Sequence, residues 1–249
     1  MRTIAVYPGR FHVFHKGHKS VYDHLIDKYG PENVYIATSE KQAPMTSPFT
    51  YSDKIAMMTK MGVPASKIVK VVNPYKIEEM VNELCLDPGH DRLVYALGGR
   101  DADRFKYTKT SPLQLLTDKT KLKPVGKHAY VEVVPVAEFN IDGHKVDSGT
   151  EVRELYLDGN EADRRHIIAD LYGEVDPDLK DIFDRRLGVV EKVNEYILET
   201  KRSKKPEQVK WVKKVLALEH QALHEHQILT ENIVTDYIDE KNHSRHKLS

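Results

Sequence analysis

The sequence predicts an α/β fold in which helices cover a parallel sheet and a helical extension follows at the C-terminus. Over the first 135 residues, short apolar runs alternate with segments of helical periodicity, a pattern typical of right-handed βαβ crossovers. From Gly149 onward the pattern is helical. With 249 residues, 40% of them hydrophobic, the chain can bury a core as one large domain or two small ones.

Five strands are expected, because each segment is a short β-branched or alternating run between turn residues. The first, TIAVY, is a continuous apolar run bounded by Pro8-Gly9, and the last, AYVEVVP, alternates apolar with polar residues. The predicted strands cover residues 3–7, 33–37, 68–72, 93–97 and 129–135.

Apolar residues at helical spacing predict the helices. The first covers 17–29 and stops at Gly30, and the second follows Thr50, a suitable N-cap, and ends at Gly62. The third covers 76–84. Further helices are predicted after Ser148-Gly149-Thr150, over 161–171 and over 177–200.

Two stretches stand apart from this alternation. Residues 105–127 are polar and aperiodic, so we expect a long loop or irregular insertion. The charged run KRSKKP at 201–206 reads as a linker before an amphipathic helix. Its apolar seam consists of Trp211, Val215, Leu218, Ala222, Leu229 and Ile233.

These features predict three parts: a core at 1–175, a helix packed on it at 176–200, and a linker with a terminal helix at 201–249. The seam of that helix either docks on the core or pairs two chains, and the linker favours a homo-oligomer.

Composition excludes several classes of protein. The 38 basic and 38 acidic residues give a net charge of +0, so no overall field attracts nucleic acid or a membrane surface. One cysteine, Cys85, excludes a disulfide framework and a Cys-rich zinc site, and we expect it to be a small core residue. The N-terminal apolar run is too short for a signal peptide, so a soluble, cytoplasmic protein is expected.

The strongest functional signal follows the first strand. The loop GRFHVFHKGH contains H-x-G-H, which places His15 in the loop and His18 near the start of the first helix. Ligands of open parallel sheets bind at the carboxyl ends of strands, where helix N-termini attract anions. Two imidazoles one turn apart, with Gly17 between them, therefore suggest a donor cluster for a triphosphate. The alternative is helix capping or ordinary polar surface.

Two later segments add candidate ligands. Ser148, Thr150 and Arg153 lie at the start of a predicted helix. Their hydroxyls and guanidinium, with the free N–H groups of the helix, suit a phosphate. The alternative is a capping box with a surface arginine. The loop from Gly98 to Asp101 follows the fourth strand and suits a ribose or a metal, or is a solvated turn. Neither G-x-G-x-x-G nor a P-loop motif occurs.

Together, GRFHVFHKGH, SPFTYSDK, ALGGRDADRF and DSGTEVR resemble the nucleotidyltransferase superfamily that carries H-x-G-H and I-S-x-T-x-x-R motifs. Within it, residues 1–175 are most similar to the archaeal-type nicotinamide mononucleotide adenylyltransferases. The resemblance implies a Rossmann-like fold and the transfer of AMP from ATP to a mononucleotide phosphate, with Mg²⁺ and release of pyrophosphate.

The resemblance also implies roles for individual residues. His15, His18 and Arg153 would be catalytic, with the two histidines on the ATP phosphates. The binding loop would include Gly9, Arg10, Phe11 and Gly17; Ser148, Gly149 and Thr150 would hold the β- and γ-phosphates, and Gly98 and Asp101 would meet the ribose. No residue is assigned as a metal ligand. The chain departs from the family at His12-Val13, where Gln-Pro is usual, and at Asp53-Lys54, where Glu-Arg is usual.

We therefore expect adenylyl transfer to a small phosphorylated acceptor, with nicotinamide mononucleotide favoured. Phosphopantetheine or flavin mononucleotide as acceptor, a cytidylyltransferase, and a non-catalytic nucleotide-binding protein remain as alternatives. A class I aminoacyl-tRNA synthetase is disfavoured, because no K-M-S-K-S-like stretch occurs. His220 and His224 are four apart, but a solvated helix face is favoured over a metal site there.

Overall fold

Six parallel strands form the central sheet of the protein. In this computed structural model the described residues are 1–43, 46–108, 110–146 and 148–189, and the side chain of Arg100 is not described. The strands occur in the order β3-β2-β1-β4-β6-β5. Their bounds are Thr3–Pro8 (β1), Val34–Ser39 (β2), Ile68–Val71 (β3), Arg92–Leu97 (β4), Leu113–Leu115 (β5) and Ala129–Val133 (β6).

The strand order reverses between β1 and β4. The chain builds outward from β1 to β2 and β3, then returns to pair β4 on the other side of β1, with parallel register at every step. In such doubly wound sheets a crevice opens at the carboxyl ends of the strands flanking the reversal. The predicted α/β, Rossmann-like fold is confirmed, and its ligand crevice is expected beyond Pro8 and Leu97.

Seven α-helices and a short hairpin complete the described chain. The hairpin pairs β7 (Phe139–Ile141) with β8 (His144–Val146) in antiparallel register. The helices are Lys16–Tyr29 (α1), Tyr51–Lys60 (α2), Ile77–Glu83 (α3), Gly99–Ala102 (α4), Gly149–Asp158 (α5), Glu161–Tyr172 (α6) and Pro177–Leu187 (α7).

Both faces of the sheet are buried, as expected when parallel strands are covered by helices. Ala5 and Tyr7 of β1 belong to the apolar cluster that also contains residues of α1, α2, α5, α6 and α7. Ile4 and Val6 belong to the opposite cluster, which includes Met80 of α3. The alternation along one strand thus supplies two cores. Within the described residues, no helix has the length and apolar character needed to cross a bilayer.

Local signals at the second helix behave as predicted. Thr50 is its N-cap: the Asp53 N–H donates to Thr50 Oγ1 at 3.1 Å, and the Thr50 N–H donates to Asp53 Oδ2 at 2.8 Å. This reciprocal capping box satisfies two backbone donors at the start of α2. Gly62, just past its end, has a φ of +83°, a backbone angle that residues other than glycine rarely adopt.

The structure corrects three expectations. The predicted loop at 105–127 contributes β5, whose three residues pair with β6 at the sheet edge. Cys85 is exposed rather than buried, because α3 ends at Glu83 and the chain turns through a positive φ of 47° at Cys85. The last described helix ends at Leu187, since Gly188 adopts the left-handed conformation with φ 72°.

Several predictions fall outside the described residues. These concern the remainder of the 177–200 helix beyond residue 189, the linker, and the terminal helix with its apolar seam, His220 and His224.

Candidate active site

Three segments meet where the strand order reverses. The β1–α1 loop, α4 and the start of α5 surround a cavity of about 270 Å³, which we call the central cavity. The β1–α1 loop contributes Arg10, Phe11 and His15 to its lining, and the first turn of α1 contributes His18. The predicted residues Ser148, Gly149, Thr150, Arg153 and Asp101 complete the set that the fold brings together here.

The two signature histidines are joined to each other. His15 is the N-cap of α1, and its N–H donates to His18 Nδ1 at 3.3 Å. Their rings stack with centroids 3.7 Å apart, and the His15 ring also stacks on Phe139 at 4.7 Å. Because His18 Nδ1 accepts a hydrogen bond, the proton of its neutral ring lies on Nε2, which is then a donor for a ligand.

Both histidines are uncharged at neutral pH. Burial lowers the pKa of His15 to about 3. Burial, and next the neighbouring His15, hold the pKa of His18 well below its ordinary value. Each ring therefore offers a neutral N–H donor, and the positive charge of the site comes from other residues.

Arg153 ties the start of α5 to the β1–α1 loop. It is only 7% exposed, and its Nη1 donates to the Gly149 carbonyl at 3.0 Å and to the His12 carbonyl. Its Nη2 donates to Thr150 Oγ1 at 3.2 Å. Ser148 caps α5 by accepting the Glu151 N–H at 3.3 Å. The second motif thus forms a helix N-terminus, with a positive end, directly against the first.

Glycine is required where these two segments touch. A Cβ on Gly149 would lie 2.5 Å from the Val13 nitrogen and 2.7 Å from the His12 carbonyl oxygen. A Cβ on Gly17 would lie 2.7 Å from the Ala137 carbonyl oxygen. These glycines allow backbone segments to approach more closely than any side chain permits.

Gly9 and Gly17, predicted to belong to the binding loop, support the central cavity without lining it. The Gly9 N–H donates to the Ala37 carbonyl at 3.0 Å, and a Cβ there would meet the Phe11 ring at 2.6 Å. Phe11 itself has a φ of 51°. These residues shape the loop that presents Arg10 and the histidines.

A second cavity of about 370 Å³ opens beside β4, and we call it the β4 cavity. The predicted residues Gly98 and Asp101 line it, and so do Tyr7 and Val136, which no motif in the sequence indicates. Asp101 also lines the central cavity, and its Oδ1 pairs with Arg104 Nη1 at 2.9 Å.

The donor set suits a divalent metal ion that arrives with phosphates. Among the described residues, no group of three or more His, Cys, Asp or Glu side chains could hold a metal ion. Asp101 supplies a single carboxylate to the central cavity. Mg²⁺ characteristically uses one or two carboxylates together with substrate phosphates and water, so Asp101 is the residue that would contact it.

Two further polar residues at this site escaped sequence analysis. His12 lines the central cavity, and its Nδ1 accepts the Phe49 N–H at 3.3 Å, which leaves a proton on Nε2. That Nε2 is buried and has no hydrogen-bond partner in the described part of the chain. Burial, and next Lys54 and Arg153, lower the pKa of His12 to about 3.

The second is Lys54, which is fully buried. Its Nζ donates to the Ser39 carbonyl at 2.7 Å and to Thr38 Oγ1 at 3.4 Å. No carboxylate pairs with it among the residues that the structure describes, and burial, with Arg10 second, lowers its pKa to about 8. Arg10 and Arg153 line the central cavity, and the charge of Lys54 acts on His12 and Arg10, so the surroundings of the cavity carry several positive charges. Only the departure from Glu-Arg drew attention to this position in the sequence.

A curated protein is similar to part of the chain. The nicotinamide-nucleotide adenylyltransferase of Sulfurisphaera tokodaii is 36% identical over 56 residues, which are 22% of this chain and 33% of that protein. The chain thus matches about a third of the length of this curated relative.

Two solved structures align over most of the chain at low identity. A bifunctional NMN adenylyltransferase/ADP ribose pyrophosphatase from Francisella tularensis, complexed with AMP and an Mn ion, has a TM-score of 0.47 and 16% identity, covering 81% of this chain and 55% of that one. The nicotinic acid mononucleotide adenylyltransferase of Plasmodium falciparum, complexed with NaAD, has a TM-score of 0.45 and 14% identity, covering 74% and 96%.

The family assignment comes from a sequence model rather than from these alignments. The model of the family described as "Cytidylyltransferase-like" matches residues 6–155, a span that runs from β1 to the histidine loop and on to Arg153. More than half of the chain lies in this match, and the match contains the loops that surround the central cavity. The chain belongs to the cytidylyltransferase-like family of nucleotidyltransferases.

Proposed function

We propose that the protein is an adenylyltransferase that moves AMP from ATP to the phosphate of a small acceptor and releases pyrophosphate. The acceptor is nicotinamide mononucleotide and the product is NAD. The observation that carries this proposal is the central cavity, where neutral imidazole donors and the guanidinium groups of Arg10 and Arg153 converge at the strand-order reversal. The name of the Sulfurisphaera relative, a nicotinamide-nucleotide adenylyltransferase, supports the choice of acceptor.

The reaction needs no nucleophile from the protein. An acceptor phosphate oxygen is already anionic, so it attacks the α-phosphorus in line, and the bond from that phosphorus to the β-phosphate bridging oxygen breaks. One phosphorus–oxygen bond forms and one breaks, and the departing pyrophosphate keeps the electron pair. Mg²⁺, when bound, offsets charge on the phosphates.

The residues of the cavity contribute position and electrostatic stabilisation. His18 Nε2–H donates to a non-bridging phosphate oxygen, and His15 holds the His18 ring in orientation through its N–H. Arg153 and the first turn of α5 stabilise charge that develops on the leaving phosphates. Because both imidazoles are neutral, they donate without a proton having to move.

The decisive test replaces His18 by asparagine. Asn keeps an acceptor for the His15 N–H but loses the Nε2–H donor, so the helix cap survives while the contact to phosphate does not. We expect pyrophosphate release to fall by about 10²–10³-fold, the usual effect of losing one such donor. His18→Ala serves as the comparison that also removes the cap. A folded His18→Asn protein with near-normal turnover would refute the assignment.

The identity of the acceptor is tested separately. ATP and CTP are each crossed with nicotinamide mononucleotide, its deamido form, phosphopantetheine and flavin mononucleotide in a pyrophosphate-release assay. We expect release with ATP and nicotinamide mononucleotide. Nucleotide binding without release for any pair would favour a nucleotide-binding protein instead.

A further inference from the structure

A third cavity of about 350 Å³ adjoins the central one and is closed by the end of α7; we call it the α7 cavity. It shares Arg10, Thr150 and Arg153 with the central cavity, so the two are continuous at these side chains. Arg186 and Leu187 of α7 form its far wall. This wall lies outside residues 6–155, which the family comparison matches.

The three cavities follow one another in a fixed order. The β4 cavity shares His15, His18 and Asp101 with the central cavity. The α7 cavity shares a different set with it, including Arg10 and Arg153. A linear ligand that enters from the β4 side and passes the histidines therefore reaches the α7 cavity with its far end.

The charge of the α7 cavity suits a polyanion. Arg10, Arg153 and Arg186 line it, against a single carboxylate from Glu154. The wall also includes the Thr150 hydroxyl. Guanidinium groups bind phosphate oxygens in pairs, so three of them favour a ligand with several phosphate oxygens over a monoanion.

Arg186 is held in place by a buried carboxylate. Its Nε donates to Asp53 Oδ2 at 2.7 Å, and Asp53 is only 6% exposed. The same oxygen accepts the Thr50 N–H, so the carboxylate belongs to the α2 capping box and cannot turn away freely. Within the described residues, the Nη groups of Arg186 have no other partner. The guanidinium is thus fixed at one nitrogen and available at the other two.

We infer that Arg186, which lies outside the span matched by the family, is a further binding residue for the terminal phosphates of the nucleoside triphosphate and for the pyrophosphate formed from them. The inference rests on the proposed function, because it says where the triphosphate end of the proposed substrate binds. In-line transfer requires the acceptor and the leaving group on opposite sides of the α-phosphorus. The acceptor then approaches from the side away from α7.

The test uses the full chain and calorimetric binding of two probes, inorganic pyrophosphate with Mg²⁺ and AMP. In Arg186→Gln we expect the Kd for pyrophosphate to rise by about 10- to 100-fold, the usual effect of losing a charge-assisted hydrogen bond, while the Kd for AMP is unchanged. In the reverse reaction, the KM for pyrophosphate rises and the KM for the dinucleotide does not.

Arg185→Gln is the matched control. Arg185 precedes Arg186 on α7, its side chain is 57% exposed, and it pairs with Asp181 at 3.5 Å. Removing it changes the net charge equally, and we expect pyrophosphate binding to stay within about twofold, because exposed charges are screened by salt. A second variant, Asp53→Asn, keeps an acceptor for the cap but loses the ion pair, and should weaken pyrophosphate binding less than Arg186→Gln.

Three results would overturn the inference. Wild-type affinity for pyrophosphate in Arg186→Gln shows that α7 does not touch the leaving group. An equal loss of pyrophosphate affinity in Arg185→Gln shows that the loss in Arg186→Gln comes from the change in net charge and not from a specific contact. A loss of AMP affinity equal to that for pyrophosphate shows general damage to the site. The proposed function survives each of these; it fails separately if the wild-type chain releases no pyrophosphate with any nucleotide and acceptor.

Discussion

Lys54 is a buried cation whose hydrogen-bond partners are neutral. Its ammonium group reaches the end of β2, where it meets the Ser39 carbonyl and the Thr38 hydroxyl. An ammonium ion in such surroundings loses hydration that these acceptors replace only in part. The charge of Lys54 also acts on His12 and Arg10, which line the central cavity, so an anion in that cavity would stabilise the charged lysine.

The titration of Lys54 leads to a stability prediction. Its pKa is about 8 in the folded chain, against 10.5 ordinarily, with burial the leading cause. Between these values the unfolded chain binds more protons, so this group makes the free energy of unfolding rise as pH increases from about 8 to about 10.5. A shift of this size corresponds to roughly 3 kcal/mol at most.

Urea unfolding of the wild type and Lys54→Met at pH 7, 9 and 10.5 measures this contribution. We expect the wild type to gain stability over this range relative to Lys54→Met, whose lack of the ammonium removes the effect. Parallel pH profiles for the two proteins would contradict it, and would mean that the lysine is paired or hydrated in the folded state.

Some residues of the site can be predicted from the sequence and others cannot. The positions of His15, His18 and Arg153 are predictable from their motifs. A motif directly after a parallel strand, or at the start of a following helix, lies at the carboxyl edge of the sheet. His12, Lys54 and Arg186 are not, since their properties arise from partners far away in sequence. Arg186 lies 133 positions from the carboxylate that holds it.

At the scale of elements, the site depends on the contact between the β1–α1 loop and α5. Gly149→Ala would place a methyl group within 2.7 Å of two backbone atoms of the loop, so one segment must retreat. We expect a loss of about 1–3 kcal/mol in the free energy of unfolding, typical of overpacking, and a larger loss of activity because Arg153 shifts with the helix.

Thermal unfolding and pyrophosphate release together check this expectation. Gly99→Ala is the control for stability: a Cβ there has nothing within 4 Å, and alanine favours the start of α4. Equal melting temperatures for Gly149→Ala and the wild type would show that the loop yields without cost.

The elements themselves are predictable where a buried pattern repeats. The five predicted strands and the capped helix α2 occur because apolar runs and N-cap residues act locally. β5 escapes prediction because its three residues become a strand only by pairing with β6. The strands of the β7–β8 hairpin also have three residues each, so they escape prediction for the same reason. The helix α3 ends at Glu83, just before the turn at Cys85, although its apolar pattern continues to Leu84.

At the scale of the whole molecule, transfer and association are proposed to belong to different parts of the chain. The residues of the central cavity all lie between Arg10 and Arg153. The amphipathic segment beyond the KRSKKP run is proposed to pair two chains.

A chain shortened to residues 1–200 should therefore still release pyrophosphate and have the mass of a monomer. The full chain should have twice the monomer mass. Light scattering combined with the release assay measures both. A monomeric full chain would reject the pairing, and an inactive but folded short chain would show that the tail contributes to catalysis.

The hydrogen bond from Arg153 to the His12 carbonyl spans 141 positions. During synthesis, the histidine loop leaves the ribosome long before its partner helix has been translated. The emerging chain therefore carries only part of the central cavity, and no ligand of that cavity can stabilise it until α5 has packed against the loop. Since a ligand stabilises only the state that binds it, the proposed substrate ATP would favour the finished domain over every shorter intermediate.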